Sequence, residues 1–271
     1  MPNAAIIGNL VLDVVAGAAE RPGGAVWYAA RALSEIDADA DVVLACRSAA
    51  EDRDTVVPAL EGFGFPVHWR AAERTTRFSF HYEGDQRIME IGELAEPWTP
   101  ADVDGWVGEV IGDASWVIVG ALTRVDFPVE TLAALTARGH QLILDAQGLV
   151  RQGRLGPLQS DGSIDRRTLG HITALKLNDE EAEQLCGGTD EAALRTLGIP
   201  EVVLTLGSEG ALIVSGDVVT RVAAVPVDGP VDPTGAGDSF LLAYLHARQG
   251  GAEPHEAGEV ASRFVSTIIA R

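Results

Sequence analysis

The sequence predicts an α/β fold, a mostly parallel sheet flanked by helices, with a small β flap added to it. Three observations carry this expectation. Short β-branched runs alternate with amphipathic stretches of helical period, the pattern of strand–helix–strand units. The 271 residues, 46% hydrophobic and 22% charged, are enough for one large domain with a substantial core. One stretch, residues 74–92, reads instead as two strands with no helix after them.

The elements follow in chain order. Ala4–Ile7 is an apolar strand, and Gly23-Gly24 opens a helix over Gly24–Ile36. Val42–Ala45 is the next strand, and Asp52–Gly62 the next helix. Arg74–Tyr82 and Gln86–Gly92 flank Glu83-Gly84-Asp85, a hairpin signal that marks the flap. Trp116–Val119 leads to a helix over Pro128–Ala137, whose proline suits a first-turn position. Leu142–Leu144 and Ile172–Leu175 are buried strands, with a helix over Asp179–Leu185 after the second. Val202–Thr205 follows, then an antiparallel pair, Ala211–Val214 and Val218–Val225, around Gly216-Asp217. Helices over Gly235–Arg248 and His255–Ala270 close the chain. No repeat or low-complexity linker divides residues 1–271, so a single domain is expected.

Composition narrows the function. A formal charge of -20 repels both a polyphosphate backbone and an anionic bilayer, so neither nucleic acid nor membrane is expected as a partner. Cys46 and Cys186 form no CxxC pair, no run reaches the roughly 18 apolar residues of a membrane span, and no signal peptide opens the chain. A cytoplasmic location is the expectation. Asp37-Ala38-Asp39-Ala40-Asp41 lacks the glycine and closing glutamate of a calcium loop, and Gly62-Phe63-Gly64 precedes a strand rather than a helix. The histidines show no HExxH spacing and no GxSxG elbow is present, which removes the zinc-protease and serine-hydrolase readings.

The chemistry concentrates in Asp232-Pro233-Thr234-Gly235-Ala236-Gly237-Asp238-Ser239-Phe240, which runs from a turn directly into a helical pattern. First-turn amides have no intrahelical partner and the helix dipole adds partial positive charge. An unhindered Gly-Ala-Gly backbone therefore suits an anion. A carboxylate placed beside that anion costs Coulomb energy unless it has another task, and taking a proton from a hydroxyl is such a task for Asp238.

This segment resembles the D-x-T-G-A-G-D signature of the ribokinase-like (PfkB) family of sugar and nucleoside kinases. The resemblance extends to Asn178-Asp179-Glu180-Glu181, to Thr205-Leu206-Gly207-Ser208-Glu209-Gly210, to Gly23-Gly24 and to the flap, in the family's order. It implies a ribokinase-like doubly wound sheet with a β lid formed by about residues 10–17 and 74–92. It further implies Mg²⁺-dependent phosphoryl transfer from ATP, with Asp238 as general base and the amides of Gly235, Ala236 and Gly237 as the anion hole. Lys176, Asn178, Glu181, Thr205, Gly207 and Gly210 would serve the nucleotide and metal. Asn178 and Glu181 would hold Mg²⁺ mostly through water, and the same pair suits an N-cap with a capping-box glutamate. Asp232 and Thr234 would offer oxygens to K⁺, in a chain that stops at Arg271 where many relatives continue.

On the acceptor side the resemblance points to Gly8, Asn9, Asp13, Gly23 and Gly24. Relatives carry asparagine a few residues after Gly-Gly, where this chain reads Ala25-Val26-Trp27-Tyr28, so Tyr28 is the candidate for a hydroxyl contact or ring stacking. Asp145-Ala146-Gln147-Gly148-Leu149-Val150-Arg151 and Thr75-Thr76-Arg77-Phe78 are similar to the branch near myo-inositol and sugar kinases, adding Gln147, Arg151 and Arg77 as acceptor candidates. The implied acceptor is a small sugar, cyclitol or related polyol. A nucleoside acceptor and a catalytically idle scaffold are the alternatives, and a homodimer through the open edge of the lid is the expected assembly if one forms.

Overall fold

The computed structural model describes residues 3–15, 19–83, 86–227 and 235–270. Nine strands form the large sheet: β1 (Ala4–Asn9), β4 (Val42–Ala49), β5 (Val67–Ala72), β8 (Trp116–Gly120), β9 (Gln141–Asp145), β11 (Ile172–Asn178), β12 (Glu201–Thr205), β13 (Ala211–Ser215) and β14 (Val218–Val222). Their order is β14-β13-β12-β11-β9-β8-β1-β4-β5. All neighbours run parallel except the antiparallel β12–β13 and β13–β14 pairs.

Alternate residues of the inner strands enter two different cores, because successive side chains of a strand point to opposite faces. Ala5 and Ile7 of β1, with Leu142 and Leu144 of β9, join Leu132, Leu135, Ala182 and Leu185 of the helices Val129–Ala137 and Asp179–Cys186 on one face. Ala4, Ile6 and Ile143 join the helices Ala25–Ile36, Arg53–Glu61, Ala236–Gln249 and Pro254–Ile269 on the other. Burial on both faces explains why these strands read as continuous apolar runs.

The second sheet is larger than the expected flap. It has five strands in the order β10-β7-β6-β2-β3, where β2 is Val11–Val15, β3 Arg21–Gly23, β6 Thr76–Glu83, β7 Gln86–Glu93 and β10 Gly156–Pro157. The expected strand over 10–17 is β2, which pairs parallel with β6; residues 16–18 lie outside the described residues, as does the hairpin's Gly84-Asp85. The edges expected to lie open are occupied, β2 by β3 and part of β7 by β10. Val11, Phe78, Phe80 and Ile91 of this sheet pack against Ala25 and Leu122 of the body.

Other expectations are corrected in detail. Pro128 is the N-cap of its helix with extended backbone, outside the first turn. The last strand ends at Val222 and leaves Val225 free to line a cavity. A helical stretch, Pro100–Asp102 continuing through Val103–Val107 to Gly108–Ile111, was hidden by Gly105 and Gly108 and is opened by a Thr99/Asp102 capping box.

Candidate active site

Parallel strands deliver their C-terminal residues to one edge of the sheet, the edge where such folds bind ligands. Asp145 ends β9 and Asn178 ends β11, and Lys176 stands level with Asp145 in the register of these two neighbours. The Lys176 ammonium meets Asp145 Oδ2 at 2.9 Å, and both side chains are buried. Asp145 Oδ1 accepts from the Gln147 amide at 3.1 Å, which orients the carboxylate.

The glycine loop lies directly on this pair. Gly235 has φ +76°, a left-handed conformation that glycine adopts without strain, and it caps the Ala236–Gln249 helix with no side-chain cap. A Cβ at Gly235 would stand 3.0 Å from the Tyr28 ring, and one at Gly237 would stand 2.7 Å from Lys176 Nζ. The loop therefore sits where only a bare backbone fits, with a lysine ammonium behind Gly237 and Tyr28 behind Gly235. Asp238, half-buried in the first helical turn, shares its surroundings with Asp145, Lys176, Arg151 and Glu181. Loss of water and the Asp145 charge push its carboxyl up to about 7, against the opposing pull of Lys176 and Arg151.

Asn178 and Glu181 form a reciprocal capping box. Asn178 Oδ1 accepts from the Glu181 amide at 2.8 Å, and Glu181 Oε2 accepts from the Asn178 amide at 2.9 Å. Burial and Asp145 raise Glu181 to about 6. Three carboxylates, Asp145, Glu181 and Asp238, thus face two cations, Lys176 and Arg151. This surplus of negative charge is an electrostatic setting that favours a divalent cation.

Thr205 lies beside Asn178 in the sheet register. With Gly207, Gly210, Ala236, Gly237 and Phe240 it lines a cavity of about 550 Å³ that opens from the glycine loop toward the Pro254–Ile269 helix. The half-buried Arg151 guanidinium makes no ion pair or side-chain hydrogen bond among the described residues, and neither does the Gln147 side chain.

Asn9 is buried, with its Oδ1 accepting from Trp98 Nε1 at 2.9 Å and from Arg47 Nη2 at 3.4 Å. Arg77 is bound to Asp52 at 2.8 Å, Glu93 at 2.7 Å and Glu20 at 3.4 Å, so its guanidinium ties the lid to the body. The Asp13 carboxylate lies against Gly23, where a Cβ would overlap Oδ2, and Gly24, with φ +85°, lies against Val11. Asp232 and Thr234 lie outside the described residues. Asp145 was not singled out for a role by the sequence reading, although a carboxylate that ends a buried apolar run at the ligand-binding edge was the available signal.

A pfkB family carbohydrate kinase model matches residues 74–271. A nucleoside kinase of Methanothermobacter thermautotrophicus is 37% identical over 105 residues, 38% of this chain and 33% of that protein. The chain thus spans about a third of the length of that curated relative. A pyrophosphate-dependent kinase of the ribokinase family, solved with a pyrophosphate analogue and myo-inositol, superposes with a TM-score of 0.82 at 21% identity over 98% of this chain and 94% of that one. Arabidopsis thaliana ribokinase, solved with ribose and ATP, gives 0.75 at 20% identity over 100% and 93%.

Proposed function

The chain belongs to the pfkB family of carbohydrate kinases with a ribokinase-like fold, and from that membership we propose that it transfers the terminal phosphoryl group of ATP to a hydroxyl of a small sugar, cyclitol or related polyol. One observation carries the reading: a carboxylate held near neutrality, Asp238, directly follows a glycine backbone cradle that has a buried ammonium behind it.

In this reading Asp238 takes the hydroxyl proton as the acceptor oxygen bonds to phosphorus and the bond to the leaving diphosphate breaks. The amides of Gly235, Ala236 and Gly237 stabilise the charge on the equatorial oxygens, and Arg151, whose guanidinium makes no ion pair or side-chain hydrogen bond among the described residues, approaches the same phosphoryl group. Lys176, held by Asp145, acts through the loop from behind it. Asn178 and Glu181 would hold Mg²⁺ through water, and the ion, when bound, neutralises phosphate charge. The lid excludes water that would otherwise compete for the phosphoryl group.

A nucleoside acceptor is the second reading, favoured by Phe78 and Phe80 on the lid face turned to the body and by the similarity to a nucleoside kinase. A cytoplasmic location fits the free thiols Cys46 and Cys186.

The test is a screen with Mg-ATP against pentoses, hexoses, inositols and nucleosides, scored by diphosphate release. Asp238→Asn should lower kcat on the best acceptor by about 10²–10⁴-fold while leaving nucleotide affinity near that of the parent. Turnover close to the parent's removes Asp238 as the base.

A further inference from the structure

The Ala236–Gln249 helix starts on Gly235, which has no side chain with which to bond the first-turn amides, so contacts of its backbone and not a side-chain cap fix where that turn begins. Tyr28 supplies one such contact. A Cβ built on Gly235 would stand 3.0 Å from Cδ1, 3.4 Å from Cε1 and 3.7 Å from Cγ of the Tyr28 ring. The space left between Tyr28 and Ala32 of one helix and Gly235 and Ser239 of the other is about 10 Å³, so the two elements meet almost without a void. The ring is itself held: it meets Trp27 edge-on at 5.0 Å between centroids and 89° between planes, and Trp27 meets Phe63 at 5.4 Å. Tyr28 also closes the first turn of the Ala25–Ile36 helix, its amide donating to the Gly24 carbonyl at 3.1 Å. One helical turn therefore joins Gly24, next to the contact of Gly23 with Asp13, to the ring that lies on the glycine loop.

Resting on the phosphoryl-transfer reading above, we infer that Tyr28 is a positioning residue for that transfer: its ring sets the height of Gly235 and so aims the amides of Gly235, Ala236 and Gly237, acting through the loop rather than on the acceptor. Backbone amides stabilise developing charge only when they point at it, and a misplacement of about 1 Å costs on the order of 10²-fold in rate. The contact is made by ring carbons, and a flat ring with two torsions is a stiff support. A shift of Gly235 would not stay local. The Ser239 amide donates to the Gly235 carbonyl at 2.9 Å, so the first turn, Asp238 included, moves with Gly235.

Amide hydrogen exchange of the whole chain, followed at the Ser239 amide and over residues 235–240, tests the contact without any substrate. Exchange there is expected to be about tenfold faster in Tyr28→Ala than in the parent, and within about twofold of the parent in Tyr28→Phe. Leu132→Ala, which opens a cavity in the core on the other face of the sheet, controls for lost global stability and should leave loop exchange unchanged relative to global exchange. Unchanged loop exchange in Tyr28→Ala overturns the inference, and so does a Tyr28→Phe chain that exchanges as fast as Tyr28→Ala. On the best acceptor, Tyr28→Ala should lower kcat by about tenfold with acceptor KM within about twofold of the parent, and Tyr28→Phe should restore kcat. A raised acceptor KM with kcat unmoved makes Tyr28 an acceptor contact and overturns the positioning role. Faster loop exchange in a chain that phosphorylates no acceptor overturns the phosphoryl-transfer reading, and with it the role in transfer, while upholding the contact itself.

Discussion

Around Asp238 the sign of each neighbour decides the chemistry. An acid raised to about 7 is ionised only above that pH, so activity should rise with pH along an acid limb near neutrality. Lys176 favours the charged form and Asp145 opposes it. In kcat profiles corrected for the folded fraction, Lys176→Met should therefore move the limb to higher pH and Asp145→Asn to lower pH. Shifts in the same direction would show that the pair acts only as a brace. Either change also breaks a buried ion pair, at a cost of about 3–5 kcal/mol, so the folded-fraction correction is required. The raised acid carries a stability consequence as well. Its contribution is present below the unfolded-state value of 3.8 and is lost as pH rises through about 7. Asp238→Asn, which cannot ionise, should thus raise Tm by about 2–4 °C at roughly pH 8, for about 1 kcal/mol after discounting partial exposure, and change it little at about pH 4. Thermal scans at the two pH values check this.

The lid is the element whose attachments were least legible. Its β6–β7 hairpin shows in the chain as two alternating runs around a turn, but β3 has three residues and β10 two, too short to carry a period. Proline and glycine in both make them read as turns. Arg77 likewise resembled an acceptor ligand until the fold brought Asp52 from a helix start and Glu20 from the loop before β3 against it. Because the guanidinium fastens the lid to the body, Arg77→Met should raise the acceptor KM several-fold and increase phosphate release without an acceptor, with kcat nearly unchanged. A fall in kcat alone, with KM unmoved, would place Arg77 at the reacting groups. The capping box at Asn178 was legible in advance, because all its parts lie within four consecutive residues.

At the scale of the whole molecule the -20 charge is a distributed self-repulsion that salt screens. Raising NaCl from about 0.05 M to about 1 M should raise Tm, whereas a fall would show that local ion pairs such as Arg77 with its three carboxylates outweigh the net field. Local pattern was sufficient to determine the strand–helix alternation, the hairpin, the loop from Gly235 to Asp238 and the family to which they belong, because each is written in residues close together in the chain. Tertiary structure decided which charges meet. Asp145 and Lys176 are 31 residues apart and Asp238 lies far beyond both, yet adjacent parallel strands and one helix start bring them to a single edge. Water excluded from that edge is what lifts Asp238 toward neutrality, and exclusion of water depends on the assembled fold, which no short stretch of sequence records.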